Sequence, residues 1–289
     1  MIDSPETPEL PRKDKFIGFT QGRGTGIPDL KKHLGVRWLP EVATYFYDGY
    51  PKGLSRAVLL ARVRLGAWQP IELFLESPEH RGFYDSERKA IFVKPNDSFA
   101  EAHEAGHAFV HDKNPKFDEL INTVGQGKED IRNRLAYRGL DEGIAQWMAV
   151  AASLRTQEPA RVTGAIIEHN KYVGYPDANN EFAYDPNKMA KQIGEIKDAV
   201  EDYIGSREAR PSAPSGDTRD RYKKLLYGDV WRQQTALGYA YTASRVEEDL
   251  KMPNATIETV LSEIAKNPPK FAEVEEQVLA HRGPLFFPV

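Results

Sequence analysis

Ser98-Phe-Ala-Glu-Ala-His-Glu-Ala-Gly-His-Ala-Phe-Val-His111 is the stretch on which the reading of this chain turns. Within it, His103-Glu104-Ala105-Gly106-His107 has the H-E-x-x-H pattern. On an α-helix, residues i and i+4 lie one above the other on the same face, so both imidazoles can grip one Zn²⁺. Glu104, between them, can reach a water at the metal and act as its general base. Local signals favour the helix. Ser98 and Glu101 have the spacing of a capping box, and Phe99, Ala102, Gly106 and Val110 recur at helical spacing. The bland alternative is a helix carrying two histidines with no metal between them, so the rest of the chain has to decide.

Immediately upstream, residues 71–76 and 89–94 read as strands, and residues 81–88 as a strand end plus a turn. That pattern predicts a hairpin ending at Val93, stopped by Pro95-Asn-Asp, just before the helix. Downstream, Asp112-Lys-Asn-Pro115 ends it. Residues 117–124 and 128–137 suggest two further helices, broken at Gly125-Gln-Gly127. A stronger helix is expected at 140–154, with Ile144, Trp147, Met148 and Ala151 on one stripe.

Farther out the signals weaken. Residues 1–15 read as a flexible tail rich in Pro and charge. Gly22-Arg-Gly-Thr-Gly26 follows a short apolar stretch but lacks the spacing and the strong strand of a dinucleotide fingerprint, so it reads as a plain loop. Residues 27–49 suggest one or two helices carrying Leu34, Trp38, Leu39, Tyr45 and Tyr47. Residues 55–65 suggest another, with Arg56, Arg62 and Arg64 on a solvated face. Toward the other end, 168–186 reads as loop, 188–204 as a polar helix, and 205–220 as a flexible loop. Helices are expected at 221–226, 228–250 and 255–266, and the apolar Gly283-Pro-Leu-Phe-Phe-Pro-Val289 should dock on the body.

Mixed α and β is thus followed by almost pure helix. The expected fold is α+β: a sheet-bearing N-terminal lobe over 16–155, with a small mixed or antiparallel sheet, and a mainly helical C-terminal lobe over 156–289. A metal site between them would lie in a cleft.

The 289 residues, 40% hydrophobic and 28% charged, are ordinary for a globular chain able to bury a large core. A net charge of −4 gives no electrostatic footprint for nucleic acid. No apolar run reaches the length of a membrane span, and the N-terminal residues lack the layout of a signal peptide. Cysteine is absent, which excludes disulfides, thiolate ligands and a cysteine nucleophile. Localisation stays open between cytoplasm and an exported mature chain, and a monomer is the expectation.

A catalytic zinc site needs three protein ligands and an open position. Val110 and Lys113 stand where a metzincin-type third histidine would require Gly and His, so that class is out. His111, one turn beyond His107, would have to bend back to join, and reads as a surface or supporting residue. The best remaining third ligand is Glu142, with 34 residues between it and His107, enough chain to bring a second helix beside the first. Gly143 next to it lets two backbones approach closely. The alternative is that Asp141 and Glu142 merely cap a helix.

His103-Glu-Ala-Gly-His107 followed by Leu140-Asp-Glu-Gly-Ile-Ala-Gln-Trp147 resembles the gluzincins, the thermolysin and aminopeptidase-N branch of the zinc peptidases. The resemblance spans residues 81–154, roughly a quarter of the chain. It implies a zincin-like fold, one catalytic Zn²⁺ held by His103, His107 and Glu142, Glu104 as base, and a peptide or protein substrate held extended on a sheet edge. Gluzincins also set a Tyr or His opposite the metal; Tyr239 and Tyr241 are the candidates, with His169 behind them. Thermolysin-like enzymes carry an Asp where this chain has Gln146, so Asp141 or another acid would have to orient a histidine. The aminopeptidase motif for a free N-terminus is not evident. The expected function is zinc-dependent peptide hydrolysis. The rivals are a zincin-fold binding protein without turnover, and a protease selective for one regulatory protein.

Overall fold

A computed structural model describes residues 19–37, 39–47, 81–125, 127–174, 184–209, 215–282, 284, 285 and 287. Trp38, the expected tail at 1–15, the helix at 55–65 and the strand at 71–76 lie outside them. The described chain is α+β and mostly helical, with one small mixed sheet.

Four strands, β1 (Phe19–Gly22), β2 (Ala43–Tyr47), β3 (Gly82–Asp85) and β4 (Ala90–Val93), run in the order β1-β2-β4-β3. β2 and β4 are parallel and the outer pairs antiparallel. β4 is buried at every position, as an apolar central strand must be. The expected hairpin is present as β3–β4. Its turn is closed by Asp85, which accepts from both the backbone N–H and the guanidinium of Arg88. Among the described residues β3 is the outer strand beside it.

Residues 27–49 differ from the helical expectation. Helix α1 (Gly26–Leu34) is there, but Tyr45 and Tyr47 stand on β2. Ala-Thr-Tyr-Phe-Tyr is rich in β-branched and aromatic residues suited to a pleated surface. Tyr45 stacks on Phe92 of β4, ring centroids 5.1 Å apart, and Phe92 on Phe83 of β3 at 4.9 Å.

The metal-motif helix is α2 (Ser98–Lys113), almost wholly buried over Ala100–Val110. Its N-cap is Asp97, which accepts from the Ala100 N–H and is gripped by Arg81 at 2.7 and 2.8 Å. The Ser98–Glu101 box does not form because Glu101 turns inward. Its carboxylate accepts from the Gly26 N–H at 2.7 Å and from Gly24, at the start of α1. The glycine-rich loop therefore serves an internal carboxylate, with the α1 dipole favouring the negative charge. A Cβ on Gly24 would lie 2.0 Å from that carboxylate. Glu101→Ala leaves the buried Gly26 N–H unpaired and is expected to cost about 2 kcal/mol. Urea unfolding checks this; a change under about 0.5 kcal/mol would show the contact to be dispensable.

The remaining helices are α3 (Phe117–Asn122), α4 (Lys128–Leu154), α5 (Pro159–Tyr172), α6 (Pro186–Glu208), α7 (Ser215–Lys224), α8 (Trp231–Asp249), α9 (Ile257–Lys266) and α10 (Phe271–Ala280), with a π turn at Leu225–Asp229. Three expectations need correction. The helices expected at 128–137 and 140–154 are one 27-residue helix. The loop expected at 205–220 is helical through Glu208 and again from Ser215. Residues 168–172 belong to α5.

α4 is the spine. It continues through Gly139 because that glycine faces α8, where a Cβ would lie 2.4 Å from the Gln234 carbonyl. Gly143 likewise meets Gly238 and Tyr239 of α8, not the metal-motif helix. The close approach of α2 to α4 comes instead from Gly106, inside the motif itself, which abuts Ala145. One apolar core runs from Leu30 of α1 to Phe287. Near its end the C-terminal segment docks as expected: Leu285 and Phe287 are buried, and Phe287 stacks on Trp147 at 6.2 Å.

Candidate metal centre

His103 and His107 share one face of α2, and α4 brings Glu142 opposite them. The two Nε2 atoms face each other at 3.2 Å. Glu142 Oε2 lies 3.5 Å from the first and 3.8 Å from the second. Among the described residues this trio forms a group whose ligand atoms all lie within 4.8 Å of one another. Since α4 begins at Lys128, Asp141 and Glu142 sit in mid-helix, and the capping alternative falls away.

Asp141 Oδ1 is 2.9 Å from His107 Nδ1. A carboxylate only accepts, so His107 donates to Asp141 through Nδ1, which turns its Nε2 toward His103. Two imidazole nitrogens and a carboxylate oxygen converge in a mostly buried position and form a donor set that could hold a metal ion. The His/His/carboxylate combination is one that zinc accepts. The residues fit the ion.

Asp141 thus takes the orienting role that Gln146 cannot fill; Gln146 is buried and points its amide at Glu168, 3.4 Å away. His111 is part of the same structure and not a ligand. It lies 3.3 Å from Asp118 and 3.8 Å from Asp141. Burial alone would lower its pKa, but those two carboxylates overcome this and raise it to about 10, so His111 is a cation.

Burial likewise pushes the Glu142 carboxyl up, but Arg138, then His107 and His103, override it and hold it well below the usual range. Arg138, one turn earlier on α4, donates to Glu142 Oε1 and, at 3.3 Å, to Asp141 Oδ2. Sequence reading missed this arginine. Its signal was the i, i+3, i+4 spacing of Arg138, Asp141 and Glu142, hidden once the helix was divided at residue 139.

Glu104 is 6% exposed and stands beside the trio without joining it. Burial is the main cause that raises its pKa to about 8, with Glu142 and Asp141 adding to it. The carboxyl packs against Gly82 of β3, where a Cβ would come within 3.1 Å of its Oε1.

The trio, Glu104, His111, Arg138 and Asp141 open into a cavity of about 670 Å³, walled by β3 on one side and by Ile121, Tyr227 and Trp231 on another. Tyr239 and Tyr241 do not reach it. Tyr239 is fully buried and hydrogen-bonded to His169 Nδ1 at 3.0 Å, with its pKa pushed well up by burial. Tyr241 is buried and interacts with Arg245. His169 is spent on Tyr239 in the same core. The tyrosines lining the cavity are Tyr84 of β3 and Tyr227 of the π turn.

No family model, curated protein or solved structure matches this chain. Among the described residues no helix is long and apolar enough to cross a membrane.

Proposed function

We propose that this protein is a zinc-dependent peptidase whose metal is held by His103, His107 and Glu142. The observation that carries the reading is the convergence of two imidazole Nε2 atoms and Glu142 Oε2, with the uncommitted carboxyl of Glu104 on the next position of the same helix. A metal-binding site needs the three ligands alone. A hydrolytic one also needs a base beside them, and Glu104 is that group.

When bound, zinc supplies a Lewis acid that polarises a carbonyl and makes water a nucleophile near neutral pH. Glu104 accepts the proton of the attacking water and returns it to the leaving amine. Burial raises its pKa in the ion-free cleft; a bound dication would draw it back down and leave the carboxylate that a base requires. Asp141 keeps the His107 ring in one tautomer and orientation. The His111 cation between Asp118 and Asp141 holds that carboxylate in turn.

The substrate is an extended peptide. β3 pairs with β4 along one edge, and its residues Gly82, Phe83 and Tyr84 line the cavity that holds the trio. Among the described residues no strand pairs with its other edge, where a peptide adding by main-chain hydrogen bonds would bring a carbonyl beside Glu104. Tyr227, which lines the cavity and whose hydroxyl donates to Asn122 Oδ1 at 2.7 Å, would exchange that bond for the developing oxyanion, in place of Tyr239 and Tyr241. Tyr227→Phe is expected to lower kcat about 10²-fold with KM little changed. An unaltered kcat removes that role.

The test of the whole reading is cleavage of a broad peptide library by zinc-loaded protein, with and without a chelator. Cleavage that the chelator abolishes and added zinc restores is the expected result. Cleavage indifferent to the chelator contradicts it. Zinc bound with no cleavage of any peptide replaces it with a binding protein or a protease of very narrow selectivity, which assays on whole proteins would then separate.

A further inference from the structure

Arg138 divides two carboxylates between two tasks. Its guanidinium donates to Glu142 Oε1 through Nη2 and to Asp141 Oδ2 through Nη1. The other oxygen of each faces the histidines: Glu142 Oε2 the two Nε2 atoms, Asp141 Oδ1 the His107 Nδ1. A carboxylate with both oxygens free can bind one cation through either or both. An open coordination position is what distinguishes a catalytic zinc site from a closed structural one.

We propose that Arg138 is a positioning residue that limits the cleft's cation to three protein atoms. By occupying Glu142 Oε1 it keeps that oxygen off the cation and one coordination position free for water and substrate, while its bond to Asp141 Oδ2 holds the carboxylate that orients His107. The inference rests on the metal-site reading of His103, His107 and Glu142. A planar fork is required, because two acceptors on adjacent residues must be held at once; a lysine ammonium is a point charge and cannot fix both. The fork is itself held. The Arg138 side chain is only 13% exposed, and the Tyr227 ring stacks on the guanidinium with 5.3 Å from its carbon to the ring centroid. The π turn that carries Tyr227 thus supports the metal site through this arginine.

Cobalt(II) provides the readout, since its visible absorption is intense in four-coordinate tetrahedral sites and weak at higher coordination. Cobalt-loaded wild type is expected to give the intense spectrum, from three protein atoms and one water. Arg138→Met is expected to give the weak spectrum with cobalt affinity retained or increased, because a nearby positive charge has gone. Hydrolysis, where the wild type shows it, should fall at the same time. Arg138→Lys is expected to follow Arg138→Met, and it decides the matter if the Met variant fails to fold. A weak spectrum from wild type, an intense one from both variants, or restoration of the intense spectrum by lysine alone would each overturn the proposal while leaving the metal site standing. Failure of wild type to bind cobalt removes both.

Discussion

Glu104→Gln is expected to reduce peptide hydrolysis by about 10³-fold while leaving zinc bound with unchanged stoichiometry. The substitution keeps the shape of the side chain and removes its ability to take a proton. Glu104 lies outside the group formed by His103, His107 and Glu142, so the donor set survives. Folding should survive as well. The carboxyl is buried and its pKa is raised to about 8, so in the ion-free cleft at pH 7 it already keeps a proton, and a neutral amide replaces a neutral acid. Paired measurements of zinc content and of kcat/KM check this. A variant that loses zinc would make Glu104 part of the binding set; one that keeps full activity would remove it from the chemistry.

The second large effect is structural and acts on the site through the backbone. Gly106→Val is expected to destabilise the fold by about 3 kcal/mol or more and to weaken zinc binding with it. A Cβ at position 106 would sit 2.5 Å from the Ala145 Cα, a backbone atom that no rotamer change can move. α2 and α4 would have to separate, and α2 carries His103 and His107 while α4 carries Glu142. The contrast is Gly194→Ala on α6, where a Cβ meets nothing within 4 Å. There the gain in helix propensity should stabilise by about 1 kcal/mol. Denaturant midpoints for both variants, with a zinc titration of the first, check the pair. Equal small effects at the two positions would show that the helix contact at Gly106 tolerates repacking.

How much of this could be read in the chain alone follows from the range over which each signal acts. His103, Glu104 and His107 were legible because one helix period sets their geometry. Glu142 was legible as an acid at a workable distance with a helix around it. The hairpin of β3 and β4 was legible because alternation and a turn are local. Asp97, and not Ser98, caps α2 because Glu101 has a distant partner in Gly26, which no local rule can see. β2 exists because β4 lies parallel to it, and five residues are too few to show this. Helices read separately at 128–137 and 140–154 are one, and the helix passes through Gly139, which lies against Gln234 of α8. That same misreading hid Arg138 from Glu142. Tyr239 and Tyr241 were misplaced for a related reason: the rotation of α8 about its axis is set by Gly238 against Gly139 and turns Tyr239 toward His169 and the core. Tyr227 escaped notice because it belongs to a π turn, which has no sequence signature of its own.

The central claim is that His103, His107 and Glu142 hold one divalent cation, and calorimetric zinc titration of metal-stripped protein tests it most directly. The account predicts one zinc per chain for wild type, and loss of that binding in His107→Ala and in Glu142→Ala, with helix content by circular dichroism unchanged. No zinc bound by wild type, or binding that survives both substitutions, would contradict it.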